Sequence, residues 1–296
     1  MNIQYLKAFY MTVKANSISK AAKLLHLTQP GLSMQIQSLE KELGVSLLNR
    51  SNKGVELTEA GKIVFDYATT ILSLQDNIER DLANLKSDKK YLLIGSCKAV
   101  GEYALPCSIY MYKQNNKDVD INLEISNTSA VVQALISRTI NIGVLHGYKS
   151  NKDLIIQNIT SDRLLLVTSL PLVKDKISIN ELKRLPLIFR EDGSGTRKTI
   201  LEALKPHGIK DNDLNIIYEL NSMEAIKTSV IAGKGISFIP ELTIKRDLKD
   251  GVLKPIEIEG LKIHSDFYIA YRKDYNLTPF ESDFINFIKS SKRGFC

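Results

Sequence analysis

Ser19-Lys20-Ala21-Ala22-Lys23-Leu24-Leu25-His26-Leu27-Thr28-Gln29-Pro30-Gly31-Leu32-Ser33-Met34-Gln35-Ile36-Gln37-Ser38-Leu39-Glu40-Lys41-Glu42-Leu43 is the stretch on which the reading of this chain turns. Two short helical patterns meet in it across a very small turn. Ala21 and Ala22 form a small pair that lets another helix approach closely. Thr28 is a good N-cap for the second helix, and Pro30 falls in the first turn, where a missing N–H does no harm. Leu32, Ile36, Leu39 and Leu43 recur at helical spacing and define one buried face. The opposite face carries Gln29, Ser33, Gln37 and Lys41, with Gln35 and Ser38 on its flank, and no carboxylate precedes Glu40. Such a face can enter a DNA major groove without repelling phosphates. An ordinary surface helix in a helical hairpin is the other reading this spacing admits.

Working outward, Asn2 to Ala15 places Ile3, Leu6, Phe9, Tyr10 and Val13 at spacings of three and four, an amphipathic helix that packs behind the pair. On the other side, residues 47–58 read as two short extended pieces around the turn-forming Ser51 to Gly54, a wing that carries Arg50 and Lys53. Cations on a wing meet DNA backbone or minor groove. From Met1 to Phe65 eight Lys or Arg stand against four Glu, a charge of +4. That excess is modest, so base contacts and a second copy of the unit must share the work of binding.

These residues resemble the amino-terminal domain of LysR-type transcriptional regulators. The matching run is Phe9, Ala21-Ala22, Leu27-Thr28-Gln29-Pro30, Leu32-Ser33, Gln35-Ile36, Leu39-Glu40, Leu43-Gly44, Leu47, Arg50 and Leu57-Thr58-Glu59-Ala60-Gly61. Asn16 stands where the family usually has Gly, and Met34 where Arg is frequent. The resemblance implies double-stranded DNA as partner, with Ser19, Thr28, Gln29, Pro30, Ser33, Met34, Gln37, Arg50 and Lys53 as the DNA-binding set. It also implies self-association to a homodimer or homotetramer, and it leaves RNA polymerase open as a further partner.

After the wing, Thr58 can cap a long helix whose Val64, Ile71, Ile78 and Leu85 repeat every seven residues, with Tyr67 and Leu74 three after the first two. That is a coiled-coil seam; a helix packed on its own domain is the competing reading. Ser87 to Lys90 reads as a polar hinge, and beyond it strand and helix patterns alternate. Strands are predicted over 92–95, 119–125, 140–145, 155–159, 164–168, 187–189, 216–220, 236–239 and 267–271, and helices over 101–112, 129–137, 179–185, 195–205, 223–232, 242–248 and 279–289. By these patterns, and with the roles that the family resemblance implies, the chain divides into a winged helix-turn-helix DNA-binding domain (1–58), all-α apart from its wing, a dimerisation helix (59–87) and an α/β effector-binding domain of two subdomains around a cleft (88–296). The last resembles the effector domain of the same family and, through it, periplasmic binding proteins.

Four strand-to-helix junctions present polar residues where helix N-termini favour negative charge: 95–99, 126–128, 190–197 and 220–224. Each can also be a plain helix cap, and Asn221 with Glu224 fits a capping box. In a doubly wound fold such junctions face one crevice. The family resemblance puts the effector pocket at the first three of these junctions and implies Ser96, Lys98, Asn127, Thr128 and Thr196 in it. Cys97, Ser194, Arg197 and Asn221, at the junctions themselves, are the further candidates for holding a small anionic effector. Gly193-Ser194-Gly195-Thr196-Arg197 is similar to a branch associated with sulfur assimilation and carbon fixation, and Arg197 could pair bidentately with a carboxylate, sulfite or phosphate. Cys97 reads either as an oxidant sensor or as a small buried hydrophobe.

Composition sets the remaining bounds. With 296 residues, 44% hydrophobic and 25% charged, there is chain enough for two packed domains. A net charge of +7 is compatible with nucleic acid. Cys97, Cys107 and Cys296 have no CxxC or Cys/His spacing, which speaks against a disulfide framework or a zinc site. No apolar run of eighteen residues appears, so a cytoplasmic chain with no membrane partner is expected. His26, His146, His207 and His264 lie apart from any nucleophile or metal-ligand motif, so no catalytic residue, metal or cofactor is expected. The alternative function is a cytosolic ligand-binding module or sensor without sequence-specific DNA readout.

Overall fold

The computed structural model describes residues 1–51, 54–86, 90–171 and 174–295, without the side chains of residues 50, 51 and 81. Lys53, the side chain of Arg50, hinge residues 87–89 and Cys296 lie outside the described residues. The chain forms two compact units, 1–86 and 87–296.

In the first unit, α1 (Ile3–Ala15), α2 (Ile18–Leu24) and α3 (Gln29–Leu43) are followed by β1 (Leu48–Ser51), β2 (Gly54–Leu57) and α4 (Glu59–Lys86). Each start follows capping chemistry: Asn2, Ser17 and Thr28 accept from the backbone of Gln4, Lys20 and Gly31. Leu6, Phe9, Ala21, Ala22, Leu32, Ile36, Leu39, Leu47 and Ala68 close one core. Phe65 of α4 stacks on Tyr10 at 5.3 Å and meets Phe9 edge-on at 6.4 Å, which fixes the start of α4 against α1 at about 0.5–1.5 kcal/mol per ring pair. β1 and β2 pair antiparallel, as the wing reading predicts. Asn16 adopts φ +48 at the end of α1, and its side-chain oxygen accepts from Val55 N at 3.1 Å, which ties the wing to the helices. Gly61 is required because a Cβ there would lie 2.1 Å from the Leu47 carbonyl.

Along α4 the predicted seam divides. Val64 and Ile71 pack on the unit's own core, whereas Tyr67, Ile78 and Leu85 stand exposed together with Ile63 and Leu82. Among the described residues no helix is long and apolar enough to cross a membrane.

The second unit runs β3 (Lys90–Cys97), α5 (Lys98–Tyr103), α6 (Leu105–Asn115), β4 (Val119–Ser126), α7 (Thr128–Ile136), β5 (Ile142–His146), β6 (Leu154–Thr168), β7 (Lys176–Ile177), α8 (Ile179–Leu182), β8 (Leu187–Arg190), α9 (Gly195–Leu204), β9 (Ile216–Leu220), α10 (Met223–Ile231), β10 (Ser237–Pro240), α11 (Glu241–Lys249), β11 (Lys254–Ile258), β12 (Ile263–Arg272) and α12 (Pro279–Lys289). β4, β3 and β5 are parallel neighbours, with β12 and then β6 antiparallel beside them. β10 and β11 pair with the far half of β6, and β8 pairs with β9. Two lobes result, with separate cores. One is built on Ile94, Val144, Phe267 and Phe284, the other on Leu166, Phe189, Phe238 and Ile256.

β6 and β12 belong to both lobes. The expectation of two strands over 155–159 and 164–168 is thus corrected to one of fifteen residues. The polar residues Thr160 to Asp162, between the two expected strands, lie where the strand crosses between lobes opposite Ser265 and Asp266. The helix expected over 101–112 is two helices, because Pro106 can begin one but not continue one. β7 and β11 are strands that the sequence reading lacked.

Candidate functional site

The first candidate site is the exposed side of α3. Leu32, Ile36 and Leu39 are buried, which leaves Gln29, Met34, Gln37 and Lys41 exposed and Ser33 half-buried beside them. Met34 is 66% exposed, an apolar patch in a polar row. Ser19 on α2, Thr28 at the cap and Pro30 in the first turn are exposed along the same edge. Glu40, the first carboxylate of the helix, is turned to the wing: its Oε1 accepts from Leu47 N at 2.7 Å and Leu48 N at 3.3 Å. The helix therefore offers donors, acceptors and one cation to its surroundings, and spends its first negative charge on the wing.

The second candidate site is the crevice between the lobes. His146 ends β5 in one lobe, fully buried. Its Nε2 meets Ser265 Oγ on β12, and its Nδ1 lies 3.1 Å from Thr196 Oγ1 on α9 of the other lobe. Burial, with the positive field of Arg190, pushes the imidazole down to about 3, so it is neutral and serves both hydroxyls as one donor and one acceptor. Thr128 Oγ1 donates to the His146 carbonyl at 3.3 Å. Gly195 permits this closeness, since a Cβ there would sit 1.9 Å from that carbonyl and 2.6 Å from Thr128 Oγ1. Two further links cross the crevice: Ser129 N donates to the Gly193 carbonyl at 3.0 Å, and Lys98 Nζ to that of Asn221. A cavity of about 570 Å³ opens beside it, lined by Thr128, Tyr148, Gly193, Gly195 and Lys198 among others.

Thus Thr128 and Thr196 converge on His146, and Lys98 and Asn221 on each other. Ser96 is buried and donates to the Cys97 carbonyl at 3.1 Å. Asn127 and Ser194 cap α7 and α9. Cys97 is the buried hydrophobe, with its thiol pushed up to about 12 by burial. Cys107 takes part in a disulfide, which departs from the expectation read from cysteine spacing.

Two expectations are corrected. Asn221 does not cap α10; Ser222 does, accepting from Ala225 N at 3.2 Å. Arg197 is not open to a ligand anion, because its guanidinium donates to the Arg190 carbonyl at 2.8 Å, to Glu219 at 2.6 Å and to Asp211. Arg190, which opens the junction over 190–197 but is not singled out in it by the sequence, is 4% exposed and bound by Glu191. The available signal was its place: a cation closing an apolar strand, at the carboxyl end where ligands bind in such sheets.

A winged helix-turn-helix joined by a long helix to a two-lobed α/β unit is the build of a DNA-binding regulator with a ligand domain. The chain belongs to the LysR family of transcriptional regulators: residues 3–62 match the family described as "Bacterial regulatory helix-turn-helix protein, lysR family" and residues 87–293 the "LysR substrate binding domain". It is 32% identical to the "Probable RuBisCO transcriptional regulator" of Phaeodactylum tricornutum, over 98% of this chain and 97% of that one, in keeping with the carbon-fixation side of the branch resemblance. Its fold is that of full-length CbnR solved with its target DNA, with TM-score 0.73 at 23% identity over 98% of this chain and 99% of that one. The regulatory domain of CcmR from Synechocystis PCC6803, solved in complex with 2-PG, superposes with TM-score 0.61 at 22% identity, over 67% of this chain and 95% of that one.

Proposed function

We propose that this regulator acts as a dimer, or as a tetramer of such dimers, on a two-fold site near a promoter, and that a small anion in the inter-lobe crevice changes its grip. The observation that carries the DNA reading is α3, whose buried apolar face leaves a carboxylate-free row of Gln29, Ser33, Met34 and Gln37 for base edges. Met34 suits a thymine methyl group; Arg50 and Lys53 suit phosphate or minor groove. The exposed apolar residues along α4 support two-fold association, and the solved complexes of CbnR with DNA and of CcmR with 2-PG support a DNA partner and a small ligand. Ser96, Lys98, Thr128 and Thr196 are the residues through which the crevice would hold that ligand.

Fluorescence anisotropy on the DNA upstream of the gene against a shuffled duplex, with and without phosphorylated and sulfur-containing small acids, tests this. Preferential binding to the upstream duplex, shifted in affinity by one acid, is the expected outcome. Equal weak binding to both duplexes, unmoved by every acid, would count against it.

A further inference from the structure

We propose that Arg190 is the cation that recognises the effector anion, and that Glu191 occupies its guanidinium until the effector exchanges with it. This rests on the reading that the crevice binds a small anion, and it supplies the residue that reading lacked once Arg197 proved to be engaged elsewhere.

Arg190 is the last residue of β8, paired in register with Leu220 at the end of β9. Its Nε and Nη2 donate to the two Glu191 oxygens at 2.7 and 3.0 Å, the fork that guanidinium offers to any two-oxygen anion. Nη1 has no protein hydrogen-bond partner among the described residues, although the side chain is 4% exposed. Nη1 is not among the sealed polar atoms that lack a partner, so it stays open to solvent and free to donate to an incoming anion. The charge is felt across the crevice by Cys97, Glu102 and His146, all of the opposite lobe.

Glu191 marks where the anion goes. Burial raises its carboxyl, but the Arg190 hydrogen bonds and charge, aided by Lys98, outweigh this and hold it below the usual range. A carboxylate in the field of one cation from each lobe stands where an effector oxyanion would stand. The two arginines differ in their partners: Arg197 is held by two carboxylates and a carbonyl from three separate segments, whereas Arg190 has only its sequence neighbour. Glu191 is 20% exposed and can turn to water. The ligand class is a small carboxylate or phosphate monoester that brings two oxygens to the Arg190 fork and negative charge to Lys98. Because the tethered carboxylate competes, apparent affinity is lowered by the fraction of time the fork is occupied.

The test is calorimetric titration of the full-length protein and of Arg190→Gln, Arg190→Lys and Glu191→Gln with inorganic phosphate, phosphoglycolate and citrate, with thermal melts on each variant. For the probe that gives heat with wild type, Glu191→Gln should bind about tenfold more tightly, as expected when the competitor is removed. Arg190→Gln should bind about tenfold or more weakly, with Arg190→Lys between, since a lysine keeps the charge and loses the fork. Misfolding cannot imitate a gain, so the opposite signs at neighbouring positions keep the result readable even if Arg190→Gln melts early. Wild-type affinity in Arg190→Gln, or a loss in Glu191→Gln equal to that in Arg190→Gln, overturns this inference and leaves the anion reading standing. Absence of heat from wild type and Glu191→Gln alike overturns the anion reading and this inference with it.

Discussion

At the residue scale, His146 holds the crevice by being neutral. Burial and Arg190 lower its pKa from 6.5 to about 3, against a smaller opposing pull from Asp266. The unfolded chain therefore binds this proton near pH 6.5 and the folded chain does not until about pH 3. Between those values acid favours unfolding, so the contribution is complete above pH 6.5 and shrinks as pH falls. Thermal melts should show a declining Tm from pH 6.5 to 5, above the range in which most carboxylates protonate. His146→Gln should melt lower at pH 7.5 and lose that part of the slope; an unchanged slope would remove the histidine from the account. The hydroxyls around it were legible, because Thr128 and Thr196 stand where strands end and helices begin. Their meeting point was not. Thr196 and Ser265 are 50 and 119 positions from His146, and no local pattern records such a contact. Arg197 misled for a related reason: a Gly-rich turn followed by Arg looks ready for an anion until Asp211 and Glu219, from later elements, claim the guanidinium.

At the element scale, periodicity served where burial was one-sided. α3 and its cap, the wing strands and most helices of the α/β unit lie where apolar spacing and turn residues placed them. β6 was read as two strands because a strand shared by two lobes must carry polar residues at the crossing, and β11 was missed because Pro255 weakens a short alternating pattern. α4 shows another limit: a heptad gives the period of a seam but not its direction, so Val64 and Ile71 turn inward while Ile78, Leu82 and Leu85, the last 82% exposed, face out. If that outward stripe is the dimer seam, each leucine there contributes about 1.5–3 kcal/mol on burial, and a two-fold interface counts it twice. Leu82→Glu should then raise the dimer dissociation constant by about a hundredfold or more. Light scattering on the eluting protein checks this, and a variant that still elutes as wild type would move the dimer contact off this helix.

At the scale of the whole molecule, charge and shape divide the work of finding a site. The first 65 residues carry only +4, so one unit can neutralise few phosphates, and the salt dependence of its binding should be shallow. Two units on one frame double the phosphate contacts and make the second engagement intramolecular. The slope of log K against log salt on a two-fold operator should therefore be about twice that on a half-site duplex. Leu82→Glu should show the half-site slope on both duplexes, because it removes the frame without touching α3. Gln29→Ala and Gln37→Ala act on the other term: each should lose about 1–3 kcal/mol of preference for the operator over shuffled DNA and leave the slope unchanged, since an amide reads base edges and carries no charge. Anisotropy titrations at four salt concentrations separate these outcomes. Equal slopes for operator and half-site would mean that a single unit makes all the contacts. A slope that changes with Gln37→Ala would place phosphate contacts, and not base readout, on the exposed row of α3.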